Sequence, residues 1–218
     1  MFDLREKGKK WNEIANELNR TITSCKLKYN RTRMKDGEFN KCLLEKKYDF
    51  NKQFVDELKP KSLLDVYAGK KSSYYGFNNL KVTSNDILES EYNTYNLDAL
   101  ICLCKLYSEG KKFDIVDLDP HGSAYDCFDL AIRMAKKGLI ITFGELGHKR
   151  WRRYDYVSRH YGIETDDDFT LNNLINEVVK IGVRNKKKLT PFLIEENHSI
   201  ASVYFKISKE FIGYDFRK

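Results

Sequence analysis

Apolar residues in the first thirty positions recur at helical spacing, whereas beyond residue 60 short apolar runs alternate with helical segments. In KKWNEIANELN, Trp11, Ile14, Ala15 and Leu18 fall at i, i+3, i+4 and i+7, one face of a helix. RTITSCKLKYNRTRMK follows, with Thr21 or Thr23 placed to cap and Ile22, Cys25, Leu27 and Tyr29 as its apolar positions. Two short helices about the polar turn Asn19-Arg20 describe a helix-turn-helix. A connector and a helix are expected over 36–60, where NKCLLEKKYDFNKQFVDEL mixes apolar and charged positions.

Farther along, SLLDVY, VTSNDI, FDIVDLD and LIITFGE read as strands. YNLDALICLCKLY and CFDLAIRMAKKG read as helices, the second ended by Gly138. Strands separated by helical segments need crossover connections, which predicts a mostly parallel sheet. LTPFLIEENHSIASVYFKIS reads as two strands around Glu196-Asn197, an antiparallel addition at the sheet edge. The expected organisation is a helix-turn-helix over 1–35, a connector and helix over 36–60 and an α/β domain over 61–218.

Composition changes this picture little. A chain of 218 residues, 41% hydrophobic, suits one core with a small appendage. Its apolar stretches, such as that around Leu139–Phe143, are far short of the roughly 20 residues of a membrane helix. No apolar signal core follows MFDLREKGKKW, so a cytoplasmic protein without a membrane partner is expected. Cys25, Cys42, Cys102, Cys104 and Cys127 form no CxxC pair, the pattern of reduced thiols, and no metal site is expected.

Charge changes more. The net +7 is concentrated: residues 1–35 hold ten Lys/Arg against four acids, while the other 183 residues are close to balanced. A localised basic block points to phosphate contacts. Lys26, Lys28, Arg31 and Arg33 all lie on the second predicted helix, the one that enters a major groove in such motifs. The stretch resembles helix-turn-helix modules of the Myb-like type, with their W..IA..L......K.....R rhythm.

Acids punctuate the strand ends. The first strand runs into Asp65-Val66-Tyr67-Ala68-Gly69, the second ends at Asn85-Asp86, Asp98 precedes the helical run from Ala99, and Asp119 closes the third strand. Ligands of open α/β sheets bind at the carboxyl ends of strands, so these acids would line one functional rim. There the strand FDIVDLD stops on Pro120-His121-Gly122-Ser123, either a plain turn or a site. The series resembles the S-adenosylmethionine-dependent class I methyltransferase fold, Rossmann-like with an antiparallel terminal hairpin. More narrowly it resembles the tRNA (guanine-N2) dimethyltransferase family, whose fDvIDlDPfGs signature is nearly reproduced by FDIVDLDPHGS, residues 113–123. VTSNDI, LDALICL and the Pro-containing final hairpin match that family's other segments in order, over roughly residues 62–207.

That resemblance implies S-adenosyl-L-methionine as cofactor and no metal. It implies that Asp65, Tyr67 and Gly69 shape the cofactor loop, Asp86 binds the ribose, and Asp98 with Ala99 contacts the adenine. Asp119, Pro120 and His121 would face the target base. This sequence departs from the family at His121, where an aromatic is usual, and at Lys70-Lys71, where Gly and Arg are usual. A further basic and aromatic run, GHKRWRRYDYVSRHYG, holds Lys149, Arg150, Trp151, Arg152 and Arg153. It suits phosphate contact and base stacking, or else a helix with its aromatics turned inward and its arginines solvated. ETDDDF at 164–169 is expected to be a solvated loop or cap, Lys186–Lys188 a surface turn, and His148, His160 and His198 structural.

Three functions fit. The first is a nucleic-acid methyltransferase acting on an exocyclic base amine of an extruded base. For it, the core resemblance implies tRNA guanine N2, while the helix-turn-helix points to duplex DNA at adenine N6 or cytosine N4. The second is a DNA-binding regulator that only senses the cofactor. The third is a small-molecule methyltransferase, which the basic N-terminal block disfavours.

Overall fold

A computed structural model describes residues 4, 8–26, 36–147, 154–165, 167–197 and 200–209. The chain divides into two compact units, residues 1–49 and 50–218. In the first, helix α1 (Trp11–Glu17) buries Ile14 and Ala15, which pack with Cys25, Leu4, Trp11 and Leu18. Asn19 turns the chain at φ 47°, a left-handed position that asparagine tolerates. A second helical stretch then occupies 22–26, and Thr21 caps it by accepting the Ser24 amide at 3.1 Å. This is the expected helical pair as far as its described residues extend. Helix α2 (Asp36–Leu58) leads from the first unit into the second.

The second unit is a six-stranded sheet between two helical layers. Its strands are β1 (Ser62–Asp65), β2 (Lys81–Ser84), β3 (Phe113–Leu118), β4 (Ala135–Phe143), β5 (Lys187–Asn197) and β6 (Ile200–Lys209). Their order is β2-β1-β3-β4-β6-β5. The first four are parallel, and β6 and β5 add antiparallel, as the sequence predicts. Helices α3 (Ala99–Ser108), α4 (Phe128–Met134), α5 (Tyr154–Tyr161) and α6 (Leu171–Arg184) lie between the strands in sequence. Because β2 lies on one side of β1 while β3 and β4 lie on the other, strand order reverses between β1 and β3. A reversal of this kind opens a crevice at the carboxyl ends of the strands.

Strand alternation divides the core. Leu64, Val116, Leu118, Leu139 and Ile141 join the apolar faces of α3, α4 and α6 in the larger cluster. Leu63, Ile115, Ile140 and Tyr204 pack with Phe54 of α2 and with Tyr74 in the smaller one. Each of the acids that interrupt β3 has a partner. Asp114 accepts the Lys61 amide at 2.8 Å and pairs with Lys137 at 3.3 Å. Burial pushes its carboxyl up, but these partners outweigh it and hold it below the usual carboxylate range. Asp117 accepts the Tyr74 hydroxyl at 2.7 Å.

Two expectations need correction, and one element was not foreseen. Gly138 does not end a helix: α4 stops at Met134 and Gly138 lies inside β4, paired with Ile115 on one side and Lys206 on the other. Pairing along both edges of β4 overrides the helical propensity of AKK, residues 135–137. The surface turn expected at Lys186–Lys188 is confined to Lys186, at φ 55°, and Lys187 opens β5. The Lys187 ammonium donates to the carbonyls of Ile132, Arg133 and Ala135 at the end of α4. Burial and the neighbouring Lys112 push its pKa down to about 8, so it still carries its proton at pH 7. Helix α6, with Leu174, Ile175, Val178 and Ile181 buried, is an element the sequence reading missed.

Lys187→Met keeps the aliphatic stem and removes the donor to the Ile132 and Ala135 carbonyls, while Lys112 still donates to that of Arg133. Urea denaturation is expected to show a loss of about 1–3 kcal/mol. An unchanged midpoint would mean that water replaces the ammonium.

Candidate functional site

The carboxyl ends of β1 and β2 carry a stitched group of loops. Asp65, in register with Asp117 of β3 and Ser84 of β2, accepts the Ser72 hydroxyl at 2.7 Å and so ties residues 66–72 to the strand. Gly69 takes φ 62°, a conformation that costs a side-chain-bearing residue strain, and its surroundings are open. Its amide donates to Asp86 Oδ2 at 2.8 Å, and Asp86 Oδ1 accepts the Leu88 amide at 2.8 Å. Each carboxylate oxygen has a second lone pair. Among the described residues, no further protein donor takes it.

Asn85, fully buried, was not singled out by the sequence beyond its place before Asp86. Its amide donates to the carbonyls of Val66 and Leu97, and its Oδ1 accepts the Leu97 amide. One side chain thus sets the spacing between the loop after β1 and the entry to α3. Asp98 caps α3 through Oδ1, which accepts the amides of Leu100 and Ile101, and Ala99 is buried beneath. Asn93 donates to the Gly69 carbonyl at 2.8 Å, while its own Oδ1 is buried without a protein partner. Tyr67, half-buried, bonds Cys127 across 3.6 Å. Burial raises both groups, the thiol to about 11, so Cys127 is no nucleophile at neutral pH.

Beyond β3, Asp119 and Pro120 are half-buried and His121 is exposed. The Asp119–Pro120 bond is trans, since no described peptide bond is cis. What holds the turn lies after it. Gly144, just past β4, passes so close that a Cβ there would lie 2.3 Å from the Gly122 carbonyl oxygen. Ser123 donates to the buried Glu145, accepts the Tyr156 hydroxyl at 2.9 Å and accepts the Tyr125 amide at 3.1 Å. Tyr161 donates to the same Glu145 oxygen at 2.8 Å. His160 stacks on Tyr156, ring centroids 4.0 Å apart, and bonds its carbonyl.

The sequence reading missed Ser123, Glu145 and Tyr161 as members of this group. A carboxylate right after Gly144 at a strand end was the available signal for Glu145. Within 154–161, Tyr156 and Tyr161 turn inward and Arg159 is exposed, which matches the inward-packed alternative for that part of the run. Thr165 and Asp168 bond each other at 2.6 Å, and Thr170 caps α6. Lys26 is exposed, whereas Lys28, Arg31, Arg33, Lys149, Arg150, Trp151, Arg152 and Arg153 lie outside the described residues. No helix among the described residues is long and apolar enough to cross a membrane.

Residues 4–45 match the family model of the Myb-like DNA-binding domain. No curated protein matches the chain by sequence. Among solved structures the chain is similar to Trm1 from Pyrococcus horikoshii in complex with S-adenosyl-L-methionine. That likeness has a TM-score of 0.58 at 17% identity and covers 72% of this chain and 52% of that one. The chain therefore has the fold of that protein's matched part, the Rossmann-like methyltransferase sheet, and spans about half its length. Magnesium protoporphyrin IX methyltransferase from Synechocystis PCC 6803 is more distant, with a TM-score of 0.48 at 14% identity over 76% of this chain and 83% of that one.

Proposed function

We propose that the chain is an S-adenosyl-L-methionine-dependent methyltransferase acting on an exocyclic amine of a nucleic-acid base, with tRNA guanine N2 as the first candidate. The observation that carries this reading is the Asp119-Pro120-His121-Gly122 turn. It stands at the end of β3, at the strand-order reversal, beside loops whose remaining acceptors suit a nucleoside. The Trm1 likeness supports the cofactor, and the Myb-like match supports a nucleic-acid partner.

The rim fits the cofactor. The second lone pairs of Asp86 would take two ribose hydroxyls, Asp98 with Ala99 would face the adenine, and Asp65, Tyr67 and Gly69 would shape the loop around the rest. When bound, the cofactor supplies an activated methyl group with its own leaving group. An exocyclic amine is a poor nucleophile because its lone pair is delocalised into the ring. Asp119 and the Pro120 carbonyl would accept its two N–H bonds, turning the lone pair out of conjugation and orienting it. The Asp119 carboxylate then takes the proton the amine sheds. His121 is exposed where it would stack on the base.

Asp86→Ala removes both the ribose acceptors and the anchor of the Gly69 amide. Calorimetry is expected to show cofactor affinity weakened about 10- to 100-fold. Unchanged affinity would take the cofactor away from this rim.

The Myb-like match favours a second reading, duplex DNA as substrate, with adenine N6 or cytosine N4 as the amine. The deciding experiment is transfer of labelled methyl from S-adenosyl-L-methionine to unmodified tRNA and unmethylated duplex DNA, side by side. Label in tRNA supports the first reading and label in DNA the second. Cofactor binding with no label in either would leave a cofactor-sensing DNA-binding protein and end the enzyme reading.

A further inference from the structure

We propose that Glu145 is a positioning residue for the turn at 119–122, a proton-sensitive latch that holds the turn through Ser123. This rests on the reading of that turn as the part that faces the target base.

Counting hydrogens fixes the direction of every bond in the cluster. The Ser123 hydroxyl has two acceptor positions, and the Tyr156 hydroxyl and the Tyr125 amide fill both. Its own hydrogen must go to Glu145 Oε1. Tyr161 donates to that same oxygen, so Oε1 receives two hydroxyls while Oε2 is buried with no partner among the described residues. Glu145 is 1% exposed. Ser123 directly follows the turn, and the Gly122 carbonyl rests against Gly144, so the bond and the backbone contact clamp the turn from one side.

Burial raises the Glu145 carboxyl. The Ser123 and Tyr161 hydroxyls and the neighbouring His160 ring oppose that shift and do not overcome it. Among the described residues, the other titratable groups around it are Tyr156 on α5 and Asp126, whose carboxylate lies 3.9 Å from the His160 ring. Opening the latch lets water reach Glu145 and returns it to an ordinary carboxylate pKa, about 4.3. The closed form therefore holds the proton more tightly than the open one. By linkage, closure is strongest below the ordinary value and weakens as pH rises through the raised one.

Hydrogen exchange over residues 119–127, read by mass spectrometry from pH 5 to 8 and corrected for intrinsic rates, tests this without any substrate. In the wild type, protection is expected to fall steadily as pH rises across that range. Glu145→Gln still accepts from Ser123 but cannot ionise, and its corrected protection is expected to be independent of pH. Ser123→Ala is expected to lose protection at every pH. With substrate it should lose about 10-fold in kcat at unchanged cofactor affinity. Tyr161→Phe, which removes one donor to Oε1, should shift the wild-type midpoint upward.

Equal protection in wild type and Ser123→Ala would overturn the latch, as would a pH dependence that survives in Glu145→Gln. If Glu145→Gln fails to fold, Ser123→Ala decides, since Ser123 is only half-buried. A wild type that transfers no methyl would count against the methyltransferase reading, while the exchange data would still judge the latch.

Discussion

Asp119→Ala is expected to lower methyl transfer by at least about 100-fold while cofactor affinity stays within about twofold. The carboxylate follows the last residue of β3, and its proposed work is confined to the reacting amine: it accepts an N–H bond and later the proton. Removing it leaves the amine with the Pro120 carbonyl as its one proposed acceptor and nothing to take its proton, a loss felt in the transition state more than in substrate binding. The drop should therefore appear in kcat with little change in KM. Asp119→Asn is the sharper variant. It preserves shape but presents an amide that either repels the amine or turns its oxygen inward, and it cannot take the proton. Its rate should stay within about 10-fold of Asp119→Ala. Should either variant retain more than half the wild-type rate, Asp119 would not be the acceptor and the turn would be structural.

The second large effect is expected from one methyl group. Gly144→Ala would place a Cβ 2.3 Å from the Gly122 carbonyl oxygen and 3.0 Å and 3.1 Å from that residue's carbonyl carbon and Cα. All three are backbone atoms, so no side chain can swing aside, and one strand end must move from the other by about 1 Å to restore ordinary contact. A displacement of that size at a reacting group costs about 100-fold in rate. The accompanying loss of stability is expected to be about 1–3 kcal/mol. Gly138→Ala separates the two effects. Its Cβ would meet Leu58 and Phe54 side chains at 2.6 Å and 2.8 Å, on the α2 side of the sheet and away from the turn. It should lower stability by a comparable amount and leave kcat unchanged. Equal kcat losses in both variants would mean that the rate follows stability and not the position of the turn.

The loops at the strand ends were partly legible in advance. FDIVDLDPHGS announces itself because Phe113, Ile115, Val116 and Leu118 crowd apolar side chains into six residues and the end is marked by residues with fixed backbone habits, Pro and Gly. The helical face of Trp11, Ile14, Ala15 and Leu18 was equally plain, since spacing along a helix is a local property. Gly138 misled for the opposite reason. AIRMAKKG has good helix formers throughout, and only the two neighbours of β4 turn its second half into strand. Helix α6 had a readable apolar period at Leu174, Ile175, Val178 and Ile181 and was passed over.

By itself, then, the sequence determined the order and kind of most elements, the basic N-terminal block and the acids that end the strands. Each of these depends on residues close together in the chain. Only the tertiary structure decided that Gly144 abuts Gly122, that Glu145 meets Ser123 and Tyr161, and that Lys187 caps α4. Those contacts join residues from 16 to 55 positions apart. They arise because β3 and β4 lie side by side in the sheet and β6 enters between β4 and β5, and strand order leaves no periodic trace in the residues it brings together.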